Sequence, residues 1–579
     1  MGCCKVVHIG SIEDRQAESG GGAPWAPQAW IARAPQPLGA GTTGPLAGLR
    51  FAVKDNIDVA GLPTTAACPA YAYTPDRHAP VVQRLLDAGA QLVGKTNLDQ
   101  FACGLNGTRS PFGAVPNAFN AGYVSGGSSS GSAYVVATGQ VDFALGSDTA
   151  GSGRVPAGLN NIIGLKPSRG LISARGMVPA ARSVDCVSIF ARSVGLAAQV
   201  LECAMGHDAR DPYSRTLPLA STAWASRFRF GVPDTLAFFG DSAAEAAFTQ
   251  AVQRLESMGG TAVRIDYAPL AQAADLLYGS ALVAERYAAI RAFFDRHEDQ
   301  VMEPVRSIIA QGRGYSAADL HDAQTRLRAI AQQADAMWRS IDVLLVPTAP
   351  THYTIEQMRA DPIALNRNLG AYTNFVNLLD YAAISVPSAM RADGLPFGVT
   401  LIGPCGSDWQ LAELGQRYHQ ASGMRQGASA EPLPPPRLLP GLAPAPGMKI
   451  AVVGAHLSGM PLNAQLTERN ATLVQATTTS PNYRLYALPG TVPPKPGLQR
   501  VPGQGAAIAL EVWDMPMAHV GSFLALIPPP LGLGSVELAD GSWVHGFQCE
   551  AHALQQAEDV TAHGGWRAFV ATTQSALAT

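Results

Sequence analysis

The chain has 579 residues, 47% of them hydrophobic and 15% charged, with a formal net charge of -3. That length exceeds what a single core fills and predicts two or three domains, while the composition excludes a disordered or fibrous chain. The near-neutral balance lacks the basic footprint that nucleic-acid binding requires.

The chain opens on MGCCKVVHIGS, which has neither the apolar core nor the cleavage site of a secretory signal, and Val6 breaks the myristoylation pattern. Residues 1–25 run into the Gly-rich SGGGAP and read as a loose leader. No run of about 18 apolar residues occurs, so neither a membrane span nor a membrane partner is expected, and the expected location is the cytoplasm. The eight cysteines (Cys3, Cys4, Cys68, Cys103, Cys186, Cys203, Cys405 and Cys549) show no CxxC spacing. They suggest neither a zinc cluster nor a disulfide framework, but thiols in a reducing compartment.

From here to about residue 405, short β-like runs alternate with helix-length segments. LRFAV (49–53), QLVG (91–94), VDFALG (141–146), FRFGV (228–232), DVLLVP (342–347) and FGVTLIG (397–403) are the expected strands. APVVQRLLDAGA (79–90) has helical apolar spacing, and DSAAEAAFTQAVQRLESMGG (241–260) opens on an Asp-Ser cap and closes on Gly. Ala-rich amphipathic segments predict two more helices, over about 270–296 and 317–340. This alternation predicts an α/β domain over 26–430, built on a mainly parallel or mixed sheet flanked by helices. The Pro-dense EPLPPPRLLPGLAPAPG (431–447) reads as a stiff linker. Beyond it MKIAVVGAHL, NYRLYALPG, AAIALEVWDM and GSWVHGFQCE look like short strands, so 448–579 is expected to be a small β-rich domain.

The informative region is YVSGGSSSGSAYVVATG (123–139) followed by FALGSDTAGSGRVPAGLNNIIGLKP (143–167). A Ser/Gly tract ordinarily reads as a flexible linker. Here two such turns flank a strand inside an α/β domain, where glycine lets backbone approach a substrate closely. A nucleophilic serine needs a base and oxyanion donors, and no histidine lies between 118 and 170. Lys54, at the end of an apolar strand, is a base candidate, because desolvation lowers a lysine pKa. Two competing motifs are weak. Ser129 centres a GxSxG, but FNAGYVS is a poor strand for a nucleophile elbow. GAGTTG (39–44) fits GxGxxG without the strand a dinucleotide site needs.

Together GGSSSGS (126–132), DTAGSGRVPA (148–157), GLKPSRG (164–170) and VKDNIDVAG (53–61) resemble the blocks of the amidase-signature family of serine amide hydrolases, over roughly 45–405. The resemblance implies Ser152 as nucleophile, Ser128 as the bridging serine after a cis peptide, and Lys54 as general base. It implies an oxyanion hole from the backbone amides of Thr149, Ala150, Gly151 and Ser152, with Asp148 and Arg154 bracing the loop. Ala150 stands where the family more often has Gly.

LLYGSALVAERYAAI (276–290) resembles the substrate-binding helix of allophanate hydrolases, in which a Tyr and an Arg eight residues apart hold the amide and the carboxylate. Tyr278 and Arg286 match that spacing. Eight residues is just over two turns of a continuous helix, which puts both on one face, and the Arg fork suits a carboxylate. VVGAHLSGMPLNAQL (452–466) resembles the start of the same family's C-terminal domain, of the γ-glutamylcyclotransferase-like fold, to which decarboxylation of N-carboxycarbamate is assigned. His456 and Glu511 are the acid–base candidates there. The resemblance implies hydrolysis of allophanate to ammonia and carbon dioxide without metal or organic cofactor. It also implies a homodimer and a separate urea carboxylase or biuret-producing enzyme as source of substrate. A broad-specificity amidase and an amidotransferase subunit of a tRNA-dependent complex are the alternatives; a non-catalytic scaffold is disfavoured by intact Lys54, Ser128 and Ser152.

Overall fold

A computed structural model of the chain describes residues 25–439, 442, 447–469 and 471–577. The expected leader lies outside these apart from Trp25, as do 440, 441 and 443–446 of the expected linker. The chain divides into two compact units, Met1–Trp224 with Phe228–Leu442, and Ala225–Arg227 with Ala443–Thr579.

An eleven-stranded mixed sheet forms the first unit. Its strands are β1 (Trp30–Leu38), β2 (Arg50–Lys54), β3 (Gln91–Thr96), β4 (Phe143–Asp148), β5 (Ile163–Lys166), β6 (Cys186–Ala191), β7 (Phe228–Pro233), β8 (Gly260–Ile265), β9 (Val343–Pro347), β10 (Ala382–Met390) and β11 (Pro396–Gly403). They lie in the order β1-β3-β2-β4-β6-β5-β10-β11-β9-β7-β8. β2 runs parallel to both β3 and β4, whereas β4, β6, β5 and β10 alternate in direction. Side-chain alternation divides the apolar residues between two faces. Phe51, Val53, Phe143 and Leu145 pack with the helices Pro80–Asp87 and Val194–Ala204. Ala52 and Ala144 face the opposite way, and their small side chains admit the helix Ser130–Ala137, all eight residues of which are buried.

Five of these strands lack a sequence signal. β1 carries Pro35 and Pro37, tolerated because it is an edge strand. β5, β6 and most of β10 are buried on both faces and show no polar alternation, and β10 takes Pro387 at a register shift. β8 starts on Gly260, at the very end of the segment expected to be helical.

The helix expected over about 270–296 is two helices. Ala268–Gly279 stops at extended Ser280, a 3-10 turn covers Ala281–Val283, and Ala284–His297 follows. Ser280 Oγ accepts from the Leu282 amide and donates to the Leu276 carbonyl at 2.5 Å, so one hydroxyl both ends the first helix and caps the turn.

The second unit has a five-stranded sheet in the order β13-β16-β12-β18-β17 and a three-stranded sheet β15-β14-β19. Their ranges are β12 (Gly447–Val452), β13 (Thr472–Thr478), β14 (Tyr483–Ala487), β15 (Pro496–Arg500), β16 (Ala509–Pro516), β17 (Leu531–Glu537), β18 (Trp543–Cys549) and β19 (Glu558–Asp559). Ile450, Leu485, Val512 and Trp566 share its core. No described helix is long and apolar enough to cross a membrane.

Phe143 is fully buried and its ring stacks on Phe51 with centroids 5.1 Å apart. Phe143→Ala is expected to destabilise the first unit by about 3–5 kcal/mol, read as a lower urea midpoint in that unit's unfolding transition; an unchanged midpoint would contradict this packing.

Candidate active site

The apolar run that makes β2 a buried strand carries Lys54 into the interior as its last residue. Its Nζ donates to Ser128 Oγ and to Ser147 Oγ, each at 2.7 Å, and it forms no ion pair among the described residues. Burial lowers the Lys54 pKa to about 7, against the opposing pull of Asp99, Asp185 and Asp148. Its sequence neighbour Asp55 is taken by a second buried lysine: Lys95 Nζ lies 3.1 Å from Asp55 Oδ1, and Thr65 donates its amide and hydroxyl to Oδ2.

The Gly127–Ser128 peptide is cis. Gly127 has no room for a side chain, because a Cβ there would overlap Asp99 Oδ2 and the Gly107 amide. Asp99 organises this turn. Its amide donates to the Ser128 carbonyl, and its carboxylate accepts from the amides of Asn106, Gly107 and Arg109. Ser129, centre of the competing GxSxG, is buried and exchanges hydrogen bonds with the Ser147 backbone, so it holds the helix Ser130–Ala137 against β4.

The second turn follows β4. Asp148 and Arg154 form a fully buried two-bond ion pair, Nε to Oδ2 at 2.9 Å and Nη2 to Oδ1 at 3.0 Å. Burial pulls the Asp148 pKa upward, but the Arg154 guanidinium and the Gly153 amide hold it below the usual carboxylate range. Gly151 has φ +128, and a Cβ there would overlap Thr373, whose hydroxyl donates to the Ala150 carbonyl at 2.7 Å. The Gly151 amide donates to Asp148 Oδ1 at 2.9 Å. Of the four amides in the expected oxyanion set, that of Gly151 is thus engaged within the turn. Ser152 is buried between the turns. Its hydroxyl donates to the Gly104 carbonyl at 3.5 Å and makes no hydrogen bond to Ser128.

Tyr278 and Arg286 meet, but not on the face of one helix. The break at Ser280–Val283 brings them together: Arg286 Nη2 donates to Tyr278 Oη at 3.1 Å, with the guanidinium carbon 4.9 Å from the ring centroid. Arg286 is only 4% exposed, its Nε and Nη1 have no hydrogen-bond partner, and no carboxylate pairs with it among the described residues. Asp99, Asp185, Lys95 and Ser147 carry no motif of their own and became visible only in three dimensions. Segment 39–44 forms turns between β1 and β2 with no helix after it, unlike a dinucleotide site. Among the described residues no group of three or more His, Cys, Asp or Glu could hold a metal, and Cys68, Cys103, Cys186, Cys203, Cys405 and Cys549 are free thiols. Cys3 and Cys4 lie outside the described residues.

Residues 25–412 match the amidase family model. The chain belongs to the amidase family. Residues 448–571 match the model of the allophanate hydrolase C-terminal domain. Urea amidolyase of Saccharomyces cerevisiae is 46% identical over 545 residues, which covers 91% of this chain; the chain spans 30% of that relative's length. An allophanate hydrolase structure from Kluyveromyces lactis superposes with a TM-score of 0.76, at 43% identity and with 94% of each chain covered. A glutamyl-tRNA(Gln) amidotransferase subunit of Haloarcula marismortui is 35% identical over 403 residues, covering 64% of this chain and 95% of that one.

In the second unit His456 lines a small cavity with Val453, Lys495, Pro496, Leu531 and Phe547. Its Nε2 shares a 2.9 Å hydrogen bond with Gln465 Oε1, and burial lowers its pKa. Glu511 does not join it. One Glu511 oxygen accepts from the amide and hydroxyl of Ser458 and from the Trp513 indole, and the other from Arg567. Burial pulls the Glu511 pKa upward, but these donors hold it below the ordinary range. These bonds brace the loop after His456, and Oε1, with Arg567 as its one donor, keeps acceptor capacity.

Arg154→Leu leaves the buried Asp148 carboxylate without its counter-charge and is expected to cost about 3–5 kcal/mol. A thermal midpoint equal to that of the unaltered chain would exclude this bracing.

Proposed function

We propose that the chain hydrolyses allophanate (urea-1-carboxylate), with Ser152 as nucleophile, Ser128 as proton bridge and Lys54 as base. The observation that carries the substrate is Arg286, a buried, permanently charged fork with two unpartnered donor nitrogens beside Tyr278. A planar carboxylate takes one of them together with the second N–H of Nη2, along either two-donor edge of the guanidinium. The likeness to the Kluyveromyces lactis allophanate hydrolase along nearly the whole chain supports the same reading.

With a pKa of about 7, a large share of Lys54 is neutral at physiological pH, and its lone pair can accept the Ser128 proton while Ser128 accepts that of Ser152. For this, the Ser152 hydroxyl turns from the Gly104 carbonyl toward Ser128, a tightening that apo sites commonly leave to the substrate. Ser152 Oγ attacks the terminal amide carbon, and the amides of Thr149, Ala150 and Ser152 hold the oxyanion. Ammonia leaves with the proton returned by Lys54 through Ser128. Water then cleaves the acyl-Ser152 ester to release N-carboxycarbamate, whose decarboxylation we assign to the second unit, with His456 facing its cavity. The two yeast relatives are named urea amidolyases, and we place a urea carboxylase or biuret-producing enzyme as the source of allophanate.

Ammonia released per allophanate consumed is the decisive measurement: two are expected, and turnover of simple amides with none of allophanate would move the chain to the broad-amidase reading. Ser152→Ala is expected to lower ammonia release roughly 10⁴-fold or more with the fold intact. Arg286→Ala should raise KM roughly 30-fold or more for a carboxylate-bearing substrate and barely for a neutral amide; equal effects on both would remove the carboxylate role.

The base must be unprotonated, so kcat/KM should fall about tenfold per pH unit below about 7 and level off above it. A flat profile from about pH 5.5 to about 8 would exclude Lys54 as the titrating base.

A further inference from the structure

The nucleophile turn and the segment bearing Arg286 are distant in sequence, and one short stretch touches both. Ser183 donates its amide and hydroxyl to the carboxylate of Glu285, the residue before Arg286, at 2.6 and 2.7 Å. Asn377 Nδ2 donates to the Val184 carbonyl at 2.9 Å and to the Asp148 carbonyl at 2.7 Å. Asp185 is buried; one of its oxygens accepts from Thr149 Oγ1 at 2.5 Å, the other from the amides of Ala180 and Ala181 at 2.8 and 3.1 Å. Three consecutive residues are thus fastened to the Arg286 helix at one end and to the nucleophile turn at the other.

We propose that Asp185 is a positioning residue that, by holding the Thr149 hydroxyl, fixes the oxyanion amides of Thr149 and Ala150 relative to both Ser152 and the Arg286 site. The proposal deepens the reading of Ser152 as nucleophile and rests on it. A polar filler at this place would not need a charge. Burial pushes the Asp185 carboxyl up to about 6, so ionising it at neutral pH is costly, and the nearby Arg286 guanidinium opposes that penalty. A carboxylate also accepts on both oxygens, which this bridge uses and an amide cannot reproduce. Ionised Asp185 therefore couples the placement of the oxyanion donors to the cation that receives the substrate, and displacements of about 1 Å at such donors cost on the order of 100-fold in rate.

Inactivation of the full chain by a small neutral fluorophosphonate isolates this role, because the phosphonyl oxygen takes the oxyanion position and nothing in the probe calls on Arg286. Asp185→Asn is nearly isosteric but turns a donor toward Thr149. It is expected to lower the limiting inactivation rate about tenfold or more while changing the probe's half-saturation less than about twofold. Thr149→Val should behave likewise, and Thr149→Ser, which keeps the hydroxyl, should react at least about fivefold faster than Thr149→Val. Thermal midpoints identify any variant that fails to fold, and the Thr149 pair then decides alone. An Asp185→Asn chain reacting at the unaltered rate, or Thr149→Ser as slow as Thr149→Val, overturns the proposal. An unaltered chain that does not react overturns the Ser152 reading itself, a result distinct from either.

Discussion

The first unit is organised around one costly element, a lysine held in the interior with only hydroxyl groups as partners. A buried ammonium is stabilised by any nearby carboxylate: at 4 Å and an effective dielectric of about 20, such a pair is worth about 4 kcal/mol. An ion pair would restore the ordinary basicity of Lys54. Three buried carboxylates, Asp99, Asp185 and Asp148, act on it, and each of them, like that of the adjoining Asp55, is engaged elsewhere. Asp55 pairs with Lys95, Asp148 with Arg154, Asp185 accepts from Thr149 and two amides, and Asp99 from three amides of its own loop. The pKa of about 7 is what remains when burial is opposed by charges that are close but never in contact.

That economy explains the two Ser/Gly turns. β2 and β4 run side by side in parallel with Val53 opposite Leu145, so Lys54 and the residues that follow β4 emerge at the same end of the sheet. The first turn comes back against Asp99 at Gly127, and the second crosses Thr373 at Gly151. Side chains at either position would push a serine away from the lysine. Here glycine serves close approach of backbone to a carboxylate and a hydroxyl, which is different from the flexibility that a Ser/Gly tract suggests by composition alone.

Lys54 is legible as a base candidate at the end of an apolar strand, whereas Ser128 and Ser152 are legible through the resemblance of their turns to the amidase-signature blocks. The long helices are legible in their periodicity and caps, as at Asp241 before Ser242–Ser257. What the sequence does not carry is pairing across distance. Asp185 reads as an ordinary loop aspartate until Thr149, 36 residues earlier, is seen to bond to it. β5, β6 and β10 go unread because a strand buried on both faces has no alternation to display. The spacing of Tyr278 and Arg286 is visible, but the idea of a continuous helix behind it fails. Ser280, a weak helix former whose hydroxyl competes for backbone partners, ends the first helix between them.

That break separates the chemistry from the choice of substrate. In a straight helix, a residue eight positions on stands about 12 Å along the axis, too far for Arg286 to donate to the Tyr278 hydroxyl. Folding the segment at Ser280–Val283 closes the gap and turns two side chains into one recognition unit. The contrast with Arg154, which lies in the counter-ion, supports the proposed role. Arg154, equally buried, has its charge balanced within the fold by two bonds to Asp148. Arg286 has a phenol and an aromatic face but no counter-ion among the described residues, and two of its buried donor nitrogens have no hydrogen-bond partner. A buried charge without a partner persists only where a ligand completes it or a compensating field offsets it. Asp185 supplies such a field, and on the proposed reading a substrate carboxylate supplies the bonds. On that same reading, the electrostatic deficit is itself a source of selectivity against neutral amides, independent of the nucleophile that a neutral amide would share.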